Sequence, residues 1–319
     1  MKSVAFIAGL ALLLGLIICS LFVGVSRVTL LSLWSDPEMR DILLISRFPR
    51  TAALLLAGSA MSVAGLVMQM LTQNRFVEPS VAGTTQSASL GLLLVMIVSP
   101  AAPLLVKMSI ASLFALLGTA LFMLLINRMR MKSSLMVPLA GIMLGAVFSS
   151  VTTFLAMKFD LLQALGAWES GDFSSVMAGR YELLWGVGAI TLLAMLIADR
   201  FTVAGMGRDF SLNVGLNYRR VMLLGMAIIS LISGVTIVVV GVLPFLGLIV
   251  PNLVSLALGD NLRRTVPWVA LIGALLAIGC DIIGRLLIYP FEIPVSALLG
   301  VLGALMFLVL IVRSKRHAR

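Results

Sequence analysis

The sequence has one histidine, His317, and it stands in the C-terminal tail. That leaves nothing from which to build a histidine-based metal or acid–base centre. The two cysteines, Cys19 and Cys280, both fall in apolar runs and lack metal-ligand spacing. Neither a metal site nor a disulfide framework is expected from them. Charge is scarce as well: Asp, Glu, Lys and Arg make up 11% of the residues, where a soluble domain carries about a quarter. No polar stretch is long enough to fold as a soluble domain. No pair of carboxylates lies within an apolar run, and no Gly-rich nucleotide loop is present. A membrane enzyme is therefore disfavoured, and any ATP used must be hydrolysed by another chain.

What is present is apolar. The residues are 61% hydrophobic and the mean hydropathy is +1.16. This predicts an all-α membrane protein in which residues 1–319 form a single transmembrane domain. Ten spans are expected, at roughly 4–24, 49–71, 84–100, 104–126, 137–157, 182–198, 220–240, 243–258, 266–283 and 294–312. The first follows Met1-Lys2-Ser3 but is too long for a signal-peptide core and lacks a small-x-small cleavage site, so it is read as a membrane helix. The eighth is interrupted by Pro244, Gly247 and Pro251, which suits two half-helices or a kinked one. With a cytoplasmic N-terminus, the inner segments hold 15 of the 23 basic residues and only 4 of the 13 acidic ones. The net charge of +10 is thus accounted for by the positive-inside rule, and both termini are expected in the cytoplasm.

The most informative stretch begins Arg47-Phe48-Pro49-Arg50 and runs through an apolar span to Thr72-Gln73-Asn74-Arg75-Phe76-Val77-Glu78-Pro79. Pro49 suits a helix N-terminus, where its missing N–H is no loss. Ala53, Ala57, Ala60 and Ala64 follow 4-3-4 spacing, as do Gly58, Ser62, Gly65 and Gln69. Such stripes let other helices approach closely or line a path. Ser296, Gly300 and Ala304 read as another close seam. Charges otherwise cluster at span ends; Asp281 is the deepest, with Arg285 one turn away. An ion-coupled secondary transporter usually needs ionisable groups deeper than that. On the long inner loop, Asp209-Phe210-Ser211-Leu212-Asn213-Val214-Gly215-Leu216 predicts about two helical turns ended by Gly215, with Phe210 and Val214 on one face. Such a face needs a partner protein or the lipid interface to cover it. The 19 methionines are read as fillers of irregular helix contacts.

These blocks resemble the permease subunits of iron–siderophore and vitamin B12 ABC importers. The resemblance rests on Arg47–Arg50 with the small-residue span after it, on Asn74–Pro79, and on Gly241-Val242-Leu243-Pro244-Phe245-Leu246-Gly247-Leu248-Ile249-Val250-Pro251. Further blocks follow in the same order: Gly259–Arg264, Asp281 with Arg285, Glu292-Ile293-Pro294-Val295, and Gly300 with Gly303. The chain departs from the family pattern at Arg75-Phe76-Val77, at Ala82–Ala88, at Asn252 and at Ser211–Gly215. These departures look similar to the branch that handles ferric catecholate siderophores; cobalamin and haem are the alternatives within the family.

The resemblance implies a type II ABC importer permease in the bacterial cytoplasmic (inner) membrane. It pairs with a second permease, the same chain or a homologue. Two ATPase subunits bind its inner side and hold ATP and magnesium, so this chain needs no cofactor of its own. A periplasmic or lipid-anchored substrate-binding protein docks outside. Residue by residue, Arg47, Arg50 and Arg285 match docking arginines; the residues alone also allow interfacial anchoring for the pair and neutralisation of Arg285 by Asp281. Asp209–Leu216 matches the helix that couples to the ATPase. Ser62, Gly65, Gln69, Thr84, Thr85, Gln86 and Ser87 are candidates for the translocation path, and Ser133 and Ser134 for a cytoplasmic gate. Glu292 is expected to satisfy the N-terminus of the last span.

Overall fold

In lipid every backbone polar group must find a partner within the protein, and helices achieve this locally. The computed structural model describes residues 2–24, 36–129, 135–259 and 261–317, and among them it is helical with no named strand. The helices are α1 (Lys2–Phe22), α2 (Pro37–Ile42), α3 (Phe48–Thr72), α4 (Thr84–Val98), α5 (Leu104–Arg128), α6 (Met136–Lys158) and α7 (Leu162–Glu169). After these come α8 (Leu184–Leu196), α9 (Ala198–Gly205), α10 (Arg208–Asn213), α11 (Tyr218–Val240), α12 (Leu246–Leu258), α13 (Leu262–Leu287) and α14 (Val295–His317).

All ten apolar stretches marked in the sequence are helical, but they are not alike. Among the described residues, six helices are long and apolar enough to cross a membrane alone. A seventh crossing requires α8 and α9 to act together across a 60° bend. Thr84–Val98, Leu246–Leu258 and Val295–Val309 are shorter apolar helices. The reason for two of the short ones is local. The segments before α4 and α12 leave the helical path, through Gly83 at φ 81° and Phe245 at φ 61°. Both run against other parts of the protein, where irregular backbone can be tolerated.

α3 is the centre. Its apolar window is 83% buried, whereas that of α1 is 6% buried. The small-residue stripe explains why. A Cβ on Gly58 would stand 2.8 Å from the Gly273 carbonyl oxygen of α13, and one on Gly65 would stand 2.2 Å from Gly247 Cα of α12. Lipid tails are as apolar as leucine, so close backbone approach and dispersion drive such contacts more than hydrophobicity does. α5 and α11 meet the same way, with Gly234 against Ser112. α1 lies along α13, with Gly9 under Leu271 and the Phe6 ring edge-on to Trp268 at 5.0 Å.

Pro49 stands in the first turn of α3, as expected, but the chain before it is already helical. The backbone is helical from Pro37, through a π-helical turn at Leu43–Arg47, into α3. A proline inside a helix leaves the carbonyl four residues back without its usual donor. Here that carbonyl belongs to Ile45, and the Ala178 N–H donates to it at 2.9 Å. Pro251 inside α12 repeats the device: the Gly247 carbonyl, four residues back, accepts from Gln69 Nε2 at 3.3 Å.

Candidate functional site

At one end of the bundle, three arginines converge. Arg50 donates to Asp281 Oδ1 from Nε at 3.0 Å and from Nη2 at 2.7 Å, and to Glu292 Oε2 from Nη1 at 2.7 Å. Arg285 Nη2 donates to the other oxygen of Asp281 and, at 3.0 Å, to Ser20 Oγ. Arg285 Nη1 reaches the carbonyls of Ser20 and Val23, and Arg47 Nη1 that of Leu21 at 2.9 Å. Helices end with unused carbonyls, and cations suit them. Two guanidiniums thus close the C-terminus of α1 and hold a helix that has little other buried surface.

Arg47, Arg50 and Arg285, the candidate docking arginines, lie together at this end. They are also buried, with 6%, 9% and 5% of their surface exposed. Asp281 is fully enclosed, and Glu292 is the accessible member of the cluster, its side chain 28% exposed. Glu292 pairs with Arg50, a role that differs from the helix N-terminus role expected for it.

A second polar junction was not foreseen. Glu78 is completely buried, and its Oε1 accepts from the Phe245 N–H at 2.8 Å and from the Ser80 hydroxyl. It therefore sits at the start of α12, where helical N–H groups lack partners. Asn252 Nδ2 donates to the Arg75 carbonyl at 2.8 Å and to Leu248 O at 2.7 Å. The Asn74–Pro79 and Gly241–Pro251 blocks are therefore one structural unit. A Cβ on Gly247 would approach both Glu78 Oε2 and the Met61 carbonyl at 3.0 Å. Glu78 thus lies alongside the Met61 region of α3, well within its length. This corrects the expectation that Asp281 is the deepest acid. Hydropathy assigned Glu78 to a loop; the signal that could have found it is its place in a family block directly before Pro79.

At the other end, α10 forms as expected and ends at Gly215, φ 81°. Gly215 N–H donates to Leu212 O and Leu216 N–H to Ser211 O. Ser211 anchors the helix through its hydroxyl to Val203 O and Gly207 O. Asp209 and Asn213 are exposed, and so are Phe210, Leu212 and Val214, at 43%, 52% and 62%. Beneath them opens a cavity of about 1260 Å³ lined by the ends of α3 and α5 and the start of α11.

The path candidates are mostly enclosed. Ser62 donates to Gly58 O, Gln69 to Gly247 O, and Ser87 to Thr84 O; Thr84 and Thr119 share a hydrogen bond of 2.8 Å. Ser62, Gly65, Gln69, Thr84, Thr85 and Ser87 are buried by helices of the same chain. Within one subunit these side chains serve close helix packing, with Ser62 against Gly273 and Gly65 against Gly247. Gln86 alone is partly accessible, its Nε2 donating to Ser80 O at 2.9 Å. Ser133 and Ser134 lie outside the described residues. Among the described residues, no three His, Cys, Asp or Glu side chains group as metal ligands.

Residues 12–313 match the model of the FecCD transport family. The chain is 45% identical over 314 residues to the petrobactin import system permease protein FatD of Bacillus anthracis, covering 98% of this chain and 92% of that protein. It is 43% identical over 308 residues to the petrobactin import system permease protein YclN of Bacillus subtilis, covering 96% and 98%. The fold superposes on a metal-chelate type ABC transporter solved in an inward-facing conformation. The TM-score is 0.83 and the identity 22%, over 98% of this chain and all of that one.

Proposed function

The chain belongs to the FecCD transport family, and we propose that it carries a ferric siderophore of catecholate type across the bacterial cytoplasmic membrane. It is a multi-pass permease subunit of an ABC importer and not an enzyme; ATP hydrolysis belongs to a separate chain. The observation that carries the substrate reading is the end-to-end similarity to two petrobactin permeases from different species. Vitamin B12 permeases of the family are more distant, at 31% identity for the relative from Vibrio cholerae.

In this reading all ten apolar helical stretches belong to the membrane domain, with the Arg50 end outside and the α10 end in the cytoplasm. A second permease, the same chain or a homologue, completes the path, to which Gln86 is the accessible contributor. The exposed apolar side chains of α10 support docking of an ATPase, which binds ATP and magnesium. Closure of the ATPase dimer then moves α10 and, through the floor of the cavity beneath it, the ends of α3, α5 and α11. A substrate-binding protein docks at the Arg50 end. There Arg47, Arg50 and Arg285 form the base of the platform, with Glu292 the carboxylate that an incoming acidic residue can displace from Arg50.

The test is radio-iron uptake in cells lacking the gene, supplied with ferric catecholate or ferric hydroxamate, and in parallel with labelled cobalamin. Loss of ferric catecholate uptake alone, restored by the gene, is the expected result. Loss confined to hydroxamate or cobalamin overturns the substrate reading while keeping the architecture.

A further inference from the structure

Besides the arginine cluster, the same end of the bundle carries a second group of cations, built around one indole. Lys107, on the first turn of α5, holds its Nζ 5.5 Å from the Trp168 ring centroid. Arg180, just before the turn at Tyr181–Leu183, holds its guanidinium 5.3 Å from that centroid. Both cations gain from the electron-rich face of the ring. Because they share one ring, the two charges stand within about 11 Å of each other. All three side chains are partly exposed.

Among the described residues, no carboxylate lies within ion-pair distance of Lys107 or Arg180. Two acids of the same loop are engaged elsewhere. Asp172 accepts from the Ser174 N–H at 2.9 Å and its hydroxyl at 2.6 Å, and Glu182 accepts from the Gly179 N–H at 2.8 Å. Glu169, beside Trp168, pairs with neither cation. Two like charges thus share one ring with no carboxylate in ion-pair contact, while Glu169, Asp172 and Glu182 keep their own charge on the same loop; an anionic group that reaches the ring can pair with both cations directly.

The pair is continuous with the Arg50 end. Ala178 is hydrogen-bonded to Ile45, and the Tyr181 ring stands edge-on to Phe48 at 6.1 Å. The two groups differ in availability. Arg47, Arg50 and Arg285 are enclosed, and Arg50 and Arg285 are already paired with Asp281. An approaching carboxylate cannot touch them before something moves. Lys107 and Arg180 are accessible, and rim charges of this kind govern the rate of encounter.

We propose that Lys107, Arg180 and Trp168 form the first-contact surface for an acidic patch on the importer's substrate-binding protein, preceding any contact with the arginine cluster. The inference rests on the reading that such a protein docks at this end. The test measures association of the purified cognate binding protein with the permease–ATPase complex in nanodiscs, by stopped flow across a range of salt. In K107E/R180E the association rate constant should fall at least tenfold at low salt and approach the wild-type value at high salt. K107R/R180K should associate like wild type, and basal ATPase activity should be unchanged in both. An association rate constant in K107E/R180E within twofold of wild type overturns the proposal and leaves the docking reading intact. Absence of binding by the wild-type complex overturns both. Unchanged association together with lower retention of phosphatidylglycerol by K107E/R180E would assign the pair to a lipid headgroup, and also overturns it.

Discussion

Arg50 and Asp281 stand 231 residues apart in the chain and meet through two hydrogen bonds to a single carboxylate oxygen. The other oxygen of Asp281 takes Arg285. One enclosed carboxylate thus bridges two enclosed guanidiniums, with Glu292 as the second acid on Arg50, and joins α3 to α13, while Arg285 reaches on to α1. Removing one member of a buried pair leaves the other charge uncompensated, at a cost of about 3–5 kcal/mol. Asp281→Ala should therefore lower the thermal unfolding midpoint of the purified permease–ATPase complex markedly. Asp281→Asn, which keeps the shape and one acceptor, should fall between. An unchanged midpoint in Asp281→Ala would show that the cluster does not hold these helices.

The contact between Gly65 and Gly247 gives a second expectation. A methyl group at Gly65 would overlap the backbone of α12, and backbone cannot swing aside as a flexible side chain can. Gly65→Ala should reduce the yield of monodisperse protein and lower its stability. Gly279→Ala, where nothing lies within 4 Å of the added carbon, is the matched control and should leave both unchanged. Equal behaviour of the two variants would refute the close crossing.

How far the sequence led depends on the range of each interaction. Apolar runs and the short helix ended by Gly215 are local, and both were legible. The 4-3-4 stripe on α3 told truly that something approaches closely. It could not say whether the neighbour is a helix or a passing solute, because small residues serve both. Arg285 beside Asp281 was readable as an i, i+4 pair, but Arg50 on the same carboxylate was not. Glu78 was the larger miss. Its partner Phe245 is 167 residues away, and average hydropathy places a polar segment outside the membrane even when its backbone runs deep against other helices. The cation pair around Trp168 was hidden in the same way, since its members come from α5, α7 and a loop.

Glu78 leads to a third expectation. Its side chain satisfies the first turn of α12, and losing it strands the Phe245 N–H in a buried place. An unsatisfied buried group costs about 1–3 kcal/mol. Glu78→Ala should therefore lower the unfolding midpoint and impair uptake. Glu78→Gln retains an acceptor and should preserve the midpoint. If Glu78→Gln keeps the midpoint but loses uptake, the charge itself, and not only the cap, is used in transport. If Glu78→Ala is as stable as wild type, the capping role is refuted.

The last expectation concerns α10. Val214 is 62% exposed and Phe210 43% exposed, so neither contributes much to the fold of the isolated chain. An acidic group at Val214 is readily solvated in the free permease, so folding should be nearly unaffected. Against an apolar groove the same charge must be desolvated without a partner, which costs several kcal/mol. Val214→Asp should therefore leave the unfolding midpoint of the free permease within about a degree of wild type. It should also detach the ATPase or abolish ATP-driven uptake. Ser211→Ala makes the complementary test, because its hydroxyl fixes α10 to Val203 and Gly207 from the buried side. That variant should loosen the mounting of the helix, so that the ATPase still binds while uptake per ATP falls. Normal ATPase binding and uptake in Val214→Asp would assign the exposed face of α10 to the lipid interface instead.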